Sequence, residues 1–508
     1  MNGTKVPALR DAGPTITAMQ LSPLDQIMPR MYTHLLFFFP LDSSSDRKLV
    51  INHLSDSLQS TVSELPFLAG EIVPKRDTKQ KGLSEIRPAA YPKLQVKDLA
   101  DTPNGKDWNF QQLRDQHFPV SRLSGDIFAP WFGPVDPDEP LTVMGAQATF
   151  MDGGFVLCAT IHHLVRDAQG IMNIMRVWAR HCRKLDEELT PSSEGGIDNI
   201  PVTPEDLDRG GFDKGPPAPK IQGHPEFKIR PDPASAPPST SAPQPMPALE
   251  VQLLYFSQSA LAELKAAASL TKTEDAKPKT DVSVWISTND ALASLLWSSI
   301  TCARFPSNES GSTNPSTISK LGVAVNGRSR LNPPLPPSYI GNAIIYATTS
   351  LPVEAIKAAA VSAPLELSPT SPLNSLPQSP RPLSTLALAI RSAINKVDDA
   401  HIRSTVALVN SLDDVSRLMA NFDNFLGPGL IFTSWADLPI YSLDFGKTIG
   451  GGKPERVRVP ATAFDGLCVA LPRLPNGGLE VLVGLQSEHM ERLKHMHSFN
   501  RWAEWRCS

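Results

Sequence analysis

Cysteine is scarce in this chain of 508 residues. The five present, Cys158, Cys182, Cys302, Cys468 and Cys507, are scattered, with no CxxC pair and no histidine at metal-ligand spacing beside them. That pattern excludes a cysteine-built metal site and predicts reduced thiols. Long apolar runs are also missing. No segment reaches the roughly 18 residues that span a bilayer, and the opening MNGTKVPALRDAGPTITAMQ has no signal-peptide core, so a cytoplasmic protein without membrane contact is expected. Neither sign of charge dominates: 48 basic against 52 acidic residues leave a formal net charge of -4. No basic patch announces nucleic acid, and small molecules are the expected partners. Repeats at solenoid or propeller periods are absent.

Proline, by contrast, is abundant, and it marks the seams of the chain. Of 49 prolines, 13 fall in residues 201–247, where GPPAPK and PDPASAPPSTSAPQPMP support neither helix nor central strand. The length exceeds one ordinary core. Two domains are therefore predicted, at residues 1–200 and 248–508, joined by a crossover at 201–247. A second proline-rich stretch at 362–384 reads as a surface excursion of the second domain.

The chemistry is expected at His162-His163-Leu164-Val165-Arg166-Asp167-Ala168-Gln169-Gly170. Residues 141–150 and 155–161 are apolar or alternating, and Asp152-Gly153-Gly154 between them predicts a hairpin. After Gly170 the apolar positions Ile171, Ile174, Met175, Trp178, Cys182 and Leu185 recur at threes and fours, which predicts an amphipathic helix. The motif therefore presents an imidazole at a strand-to-helix junction. The HxxxD spacing alone is weak, since chance gives about half of one in a chain of this composition. On its own it fits a packed core histidine and a helix N-cap equally well.

Several further strings occur in one order: LSPLDQIMPRMYTHLLFFFP, LPFLAGEI, STNDALASLLW, VNGRSRLNPPLPPSYIGN and TSWADLPIYSLDFG. Together with the HHxxxDAxxG string they resemble the BAHD acyltransferase superfamily over nearly the whole chain, and its fungal natural-product branch in particular. The resemblance implies an α/β fold of two chloramphenicol-acetyltransferase-like domains, mixed sheets flanked by helices, with an active-site channel between them. It implies acyl-CoA, most simply acetyl-CoA, as cosubstrate, no tightly bound cofactor and no metal, and a monomer acting on a small-molecule hydroxyl. An amine acceptor, a coenzyme-independent condensation or cyclisation on the same fold, and a non-catalytic binding relative are the alternatives.

Carried over residue by residue, the resemblance makes His163 the general base. Asp167 completes the catalytic motif as a structural partner of Arg328 or Arg330, not as a proton relay. Thr433 of the TSW string becomes a candidate oxyanion donor and Trp435 a channel wall. Asp444 and Gly446 begin the family's DFGWG element, with Asp444 expected to pair with a cation. This chain departs after Gly446, reading Lys447-Thr448-Ile449-Gly450-Gly451-Gly452-Lys453 without the tryptophan. Ser287, Lys447, Lys453, Arg456 and Arg458 are the candidate coenzyme contacts. His162 is expected to face away from the site and pack.

Overall fold

The computed structural model describes residues 18–136, 139–189, 201–212, 219–231, 245–269, 285–306, 316–361, 382–461 and 464–507. Most of the 362–384 excursion and much of the proline-rich crossover lie outside these residues.

The N-terminal half is built on strand β1 (Tyr32–Pro40), whose run YTHLLFFFP is buried along nearly its whole length. Its alternate side chains serve two different cores, as a period of two requires. Leu35, Phe37 and Phe39 face one cluster, while Leu36 and Phe38 face another with Phe110, Phe118 and Phe128. Helix α1 (Arg47–Glu64) covers the first face. Strands β2 (Leu94–Asp98), β3 (Met144–Met151) and β4 (Gly154–His162) complete the sheet in the order β2-β3-β4-β1. The predicted hairpin closes Met151 against Gly154, with Gly153 at φ +77°. The predicted strand at 141–150 is split: Leu141–Thr142 joins a separate small sheet, while β3 starts at Met144. The break is held by hydrogen bonds from Val143 N to Gly70 O and from His162 N to Val143 O.

Helix α2 (Ala168–Leu189) follows the motif, as the periodicity predicts, and buries Ile171, Ile174, Met175, Trp178 and Cys182 against α1 and the sheet. Trp178 Nε1 donates to Ser57 Oγ of α1 at 3.0 Å, so its polar end is satisfied inside the core.

The C-terminal half contains β5 (Leu249–Phe256), α3 (Thr288–Arg304), β6 (Ile318–Asn326), β7 (Ile344–Pro352), α4 (Pro382–Lys396), α5 (Asp399–Ser411), β8 (Leu430–Ser434), β9 (Arg456–Arg458), β10 (Leu467–Ala470), β11 (Leu479–Gln486) and β12 (Glu504–Cys507). Seven of these strands form one mixed sheet, ordered β7-β6-β8-β10-β11-β5-β12. Strands β6, β8 and β10 are parallel, so their C-terminal ends emerge together.

Strand β9 is the exception. It leaves the C-terminal half and pairs antiparallel with β1, becoming the edge of the N-terminal sheet. Ile440, Leu443, Phe445, Ile449 and Val457 go with it into the N-terminal core. The crossover also carries structure where it is described: a short helix at Pro204–Leu207, and a strand at Phe227–Ile229 paired with Leu418–Ala420. Cys158, Cys182, Cys302 and Cys468 are free thiols, and the side chain of Cys507 lies outside the described residues.

Candidate active site

β4 ends at His162, and a single 3₁₀ turn, His163–Val165, separates it from α2. His162 is fully buried, meets the Tyr32 ring edge-on at 5.0 Å, and accepts the Leu164 N–H on Nδ1. It packs, as alternation along the strand predicts. His163 is half-buried, with a buried Nδ1 that has no hydrogen-bond partner. Burial, reinforced by the charge of Arg166, lowers its pKa to about 4, against the opposing pull of its own carbonyl, Asp167 and Asn342. The ring is therefore neutral at physiological pH and able to accept a proton.

Asp167 is fully buried. Its two oxygens accept from Arg328 Nη1 and Nη2 at 2.8 and 2.9 Å, from Gly170 N at 2.9 Å and from Ala343 N at 2.9 Å. Burial alone would raise this carboxyl, yet the Arg328 charge and these donors hold it below its usual range. The cap and the clamp are thus one arrangement, since Asp167 caps α2 while Arg328 fixes it from the C-terminal half. Arg328 also donates to the Tyr339 and Gly341 carbonyls. Of the two arginines left open by the sequence, Arg330 is excluded: it donates to the Ile394 and Val397 carbonyls at the end of α4, both at 2.7 Å. Gly170 is required by this docking, because a Cβ there would overlap the Ile340 carbonyl.

Three residues to which sequence reasoning gave no role hold the histidine from behind. Asn342 Nδ2 donates to the His163 carbonyl at 2.9 Å and to Asp25 Oδ1 at 2.8 Å. Asp25, fully buried, also accepts the Asn342 N–H at 2.9 Å and pairs with Arg209, whose other nitrogen reaches Val165 O at 2.7 Å. Asp25 and Asn342 lie inside quoted motifs, in LSPLDQ and SYIGN. The available signal was a polar side chain set among apolar neighbours. Arg209 lies in the stretch read as a linker, where nothing local pointed to it.

Thr433 stands near the C-terminal end of β8, the strand beside β6, and β6 leads directly to Arg328. It is half-buried, and its hydroxyl has no hydrogen-bond partner among the described residues, unlike a strand hydroxyl tied to backbone. Ser434 Oγ reaches Asn289 Oδ1 at 3.3 Å, which joins the TSW and STNDAL strings. Trp435 packs between the N-terminal core and an interdomain cluster of Val120, Leu253, Leu471 and Leu482. Ser287 caps α3: its Oγ accepts the Asp290 N–H, and the Asp290 carboxylate accepts the Ser287 N–H at 2.6 Å.

The DFG segment is anchored on α2. Asp444 accepts the Gly446 N–H at 2.9 Å on its carboxylate, while Arg183 donates to its main-chain carbonyl at 2.7 Å. Thr448 is held by Asp186 through N and Oγ1. Gly446, at φ +86°, sits where a Cβ would overlap that same Asp186. Lys447 and Lys453 are exposed. Arg458 does not reach a ligand: it is fully buried and bonds Glu480 at 2.7 and 3.0 Å. Arg456 also leans on Glu480, at 3.4 Å.

Two mixed sheets flanked by helices, joined over a clamped HxxxD loop, define a two-domain transferase of the chloramphenicol-acetyltransferase-like class. The chain belongs to the Transferase family, whose model matches residues 133–369 and 379–500. A trichothecene 3-O-acetyltransferase-like N-terminal domain matches residues 31–182. Among relatives it is 29% identical to an eremophilane O-acetyltransferase of Penicillium roqueforti, covering 96% of this chain and 98% of that one. It is 28% identical to an O-acetyltransferase of Penicillium ochrochloron, covering 94% and 95%. In fold it resembles F. graminearum TRI101, solved with coenzyme A and T-2 mycotoxin, at a TM-score of 0.75 and 24% identity, covering 97% of this chain and all of that one. Vinorine synthase follows at a TM-score of 0.58 and 16% identity, covering 98% and 96%.

Proposed function

We propose that this protein transfers an acyl group, most simply acetyl, from acyl-coenzyme A to a hydroxyl of a specialised natural product, with His163 as general base. His163 takes the hydroxyl proton as the oxygen attacks the thioester carbon. Collapse of the tetrahedral intermediate breaks the C–S bond, the proton passes to the departing sulfur, and an ester and free coenzyme A leave. No covalent enzyme intermediate is required. Positioned base catalysis of this kind contributes about 10² to 10⁴-fold. Thr433 is the donor to the oxyanion, and Trp435 walls the acceptor side. Asp167, Arg328 and the DFG loop are structural.

The observation that carries this reading is a half-buried His163, neutral at physiological pH, on a loop that the buried Asp167–Arg328 pair ties to a distant part of the chain. The relatives named as O-acetyltransferases and the fold neighbour solved with coenzyme A support the same donor and acceptor classes. For the coenzyme phosphates, the exposed Lys447 and Lys453 are the better candidates, since Ser287 is engaged in its cap and Arg456 leans on Glu480. The reading includes a cytoplasmic monomer. Among the described residues no helix is long and apolar enough to cross a membrane, and the net charge of -4 does not favour nucleic acid.

The test is purified protein incubated with a panel of acyl-coenzyme A donors and metabolite extracts. A product heavier by the acyl mass, with release of free coenzyme thiol, supports the proposal. Product formed without any donor would replace it with a coenzyme-independent condensation or cyclisation.

A further inference from the structure

Residues 219–231 bring the crossover back onto the C-terminal half, and there three ligating side chains meet far from the HxxxD loop in sequence. His224 and Glu226 immediately precede the strand Phe227–Ile229, and His401 stands in the first turn of α5. Glu226 Oε1 lies 3.2 Å from His224 Nδ1 and 2.9 Å from His401 Nε2. One donor atom from each residue falls within 4.8 Å of the others. His224 and Glu226 are buried, whereas the His401 side chain is 20% exposed, so the cluster is closed on one side and open on the other.

The surroundings suit a metal-bound imidazole. His224 Nε2, the nitrogen turned away from the cluster, lies 2.9 Å from Ser404 Oγ. A metal-ligating histidine characteristically donates its second N–H to such an oxygen, which fixes the tautomer and aims the other nitrogen at the ion. Thr405 Oγ1 donates to the His401 carbonyl at 3.0 Å and lies 3.3 Å from His224 Nδ1, which crowds the cluster from the helix side. In the absence of an ion the buried Glu226 carboxylate is held by the two imidazoles, and a buried carboxylate is characteristically either paired in this way or bound to metal. Two imidazoles and one carboxylate form the donor set of many zinc sites, in which ligand atoms about 2.0 to 2.1 Å from the ion sit roughly 3.3 Å apart. The two distances already present are close to that spacing.

We propose that His224, Glu226 and His401 form a three-ligand site for a divalent metal of the zinc class, fastening the crossover to α5. The open side leaves a fourth position for water. The site belongs to the scaffold and takes no part in acyl transfer, so it stands or falls independently of the reaction assigned to His163.

The experiment uses the full chain, stripped with a chelator, then dialysed against zinc alone or cobalt alone. One equivalent of metal by plasma mass spectrometry is expected, with a melting temperature that climbs with free zinc as binding to the native state requires. Cobalt should give the visible absorption of a tetrahedral site. His401→Ala, at the exposed edge of the cluster, should fold with the melting temperature of the stripped protein, retain acyl transfer, and lose the bound metal, the zinc-dependent rise and the cobalt spectrum. Glu226→Gln tests the same loss through the buried ligand. Substoichiometric metal in the unmodified protein overturns the proposal and leaves the trio as a hydrogen-bonded clamp. Retention of metal by His401→Ala also overturns it, placing the ion on another histidine such as the exposed His495.

Discussion

The proposed chemistry rests on one side chain, His163, whose environment sets its charge. Burial and Arg166 lower the His163 pKa to about 4, so the base is neutral above that value and protonated below it. kcat/KM should therefore be level from neutral pH down to about 5 and fall as pH passes through about 4, a profile read in parallel with thermal unfolding. His163→Ala should reduce kcat by about 10² to 10⁴-fold with circular dichroism unchanged. Thr433→Val, which keeps the shape and deletes the hydroxyl, should cost about 10² to 10³-fold in kcat with little change in KM, as loss of one oxyanion donor does. An undiminished kcat in that variant would remove Thr433 from the mechanism. Asn342→Ala tests the support behind the base. It frees the His163 carbonyl and removes one donor from Asp25, whose bond from the main-chain N–H of residue 342 remains, so kcat should drop while the lower pH limb stays near the same value.

At the scale of elements, the junction between β4 and α2 depends on a contact from the other half of the chain. Asp167→Asn leaves Arg328, only 4% exposed, without its counter-charge. Breaking a buried pair from one side costs about 3 to 5 kcal/mol, so the variant should melt lower and lose activity together. The companion variant Arg330→Lys should spare activity, because Arg330 serves the end of α4 and does not touch Asp167. The string VNGRSR shows why this could not be read in advance: two arginines two apart on a 3₁₀ turn point in different directions, and the direction is set by what packs above them. Gly170 and Gly446 were visible as letters. Their necessity is tertiary, since the obstacles are the Ile340 carbonyl and the Asp186 carboxylate of other segments.

For the whole molecule, the two halves are interlocked. β9 completes the N-terminal sheet, and its Arg458 is buried against Glu480 of β11 in the C-terminal sheet. Expression of residues 1–247 alone should give an aggregating product, because β1 is left as an open edge and the core loses Phe445, Ile449 and Val457. A soluble, cooperatively folding fragment in analytical ultracentrifugation and thermal melts would contradict this. Acid should also weaken the assembly. Burial lowers His34 and His163 to about 4 and His162 to about 3, against about 6.5 in the unfolded chain. The unfolded state then binds more protons, and the stability these neutral rings contribute above pH 6.5 is lost as pH falls toward 4. The melting temperature should decline steadily across that window.

Local physics made much of this protein legible from its sequence. Alternation and the Asp152-Gly153 turn announced the hairpin, and the three-and-four spacing after Gly170 announced α2. Each of these depends on neighbours within a few residues, and each stands. The motif order nominated His163, Asp167 and Thr433, but the partner of Asp167, the Asp25–Asn342–Arg209 support and the passage of β9 into the other sheet emerged only from the fold. Those contacts join residues 44 to several hundred positions apart, where sequence spacing carries no geometric information and packing alone decides which groups meet.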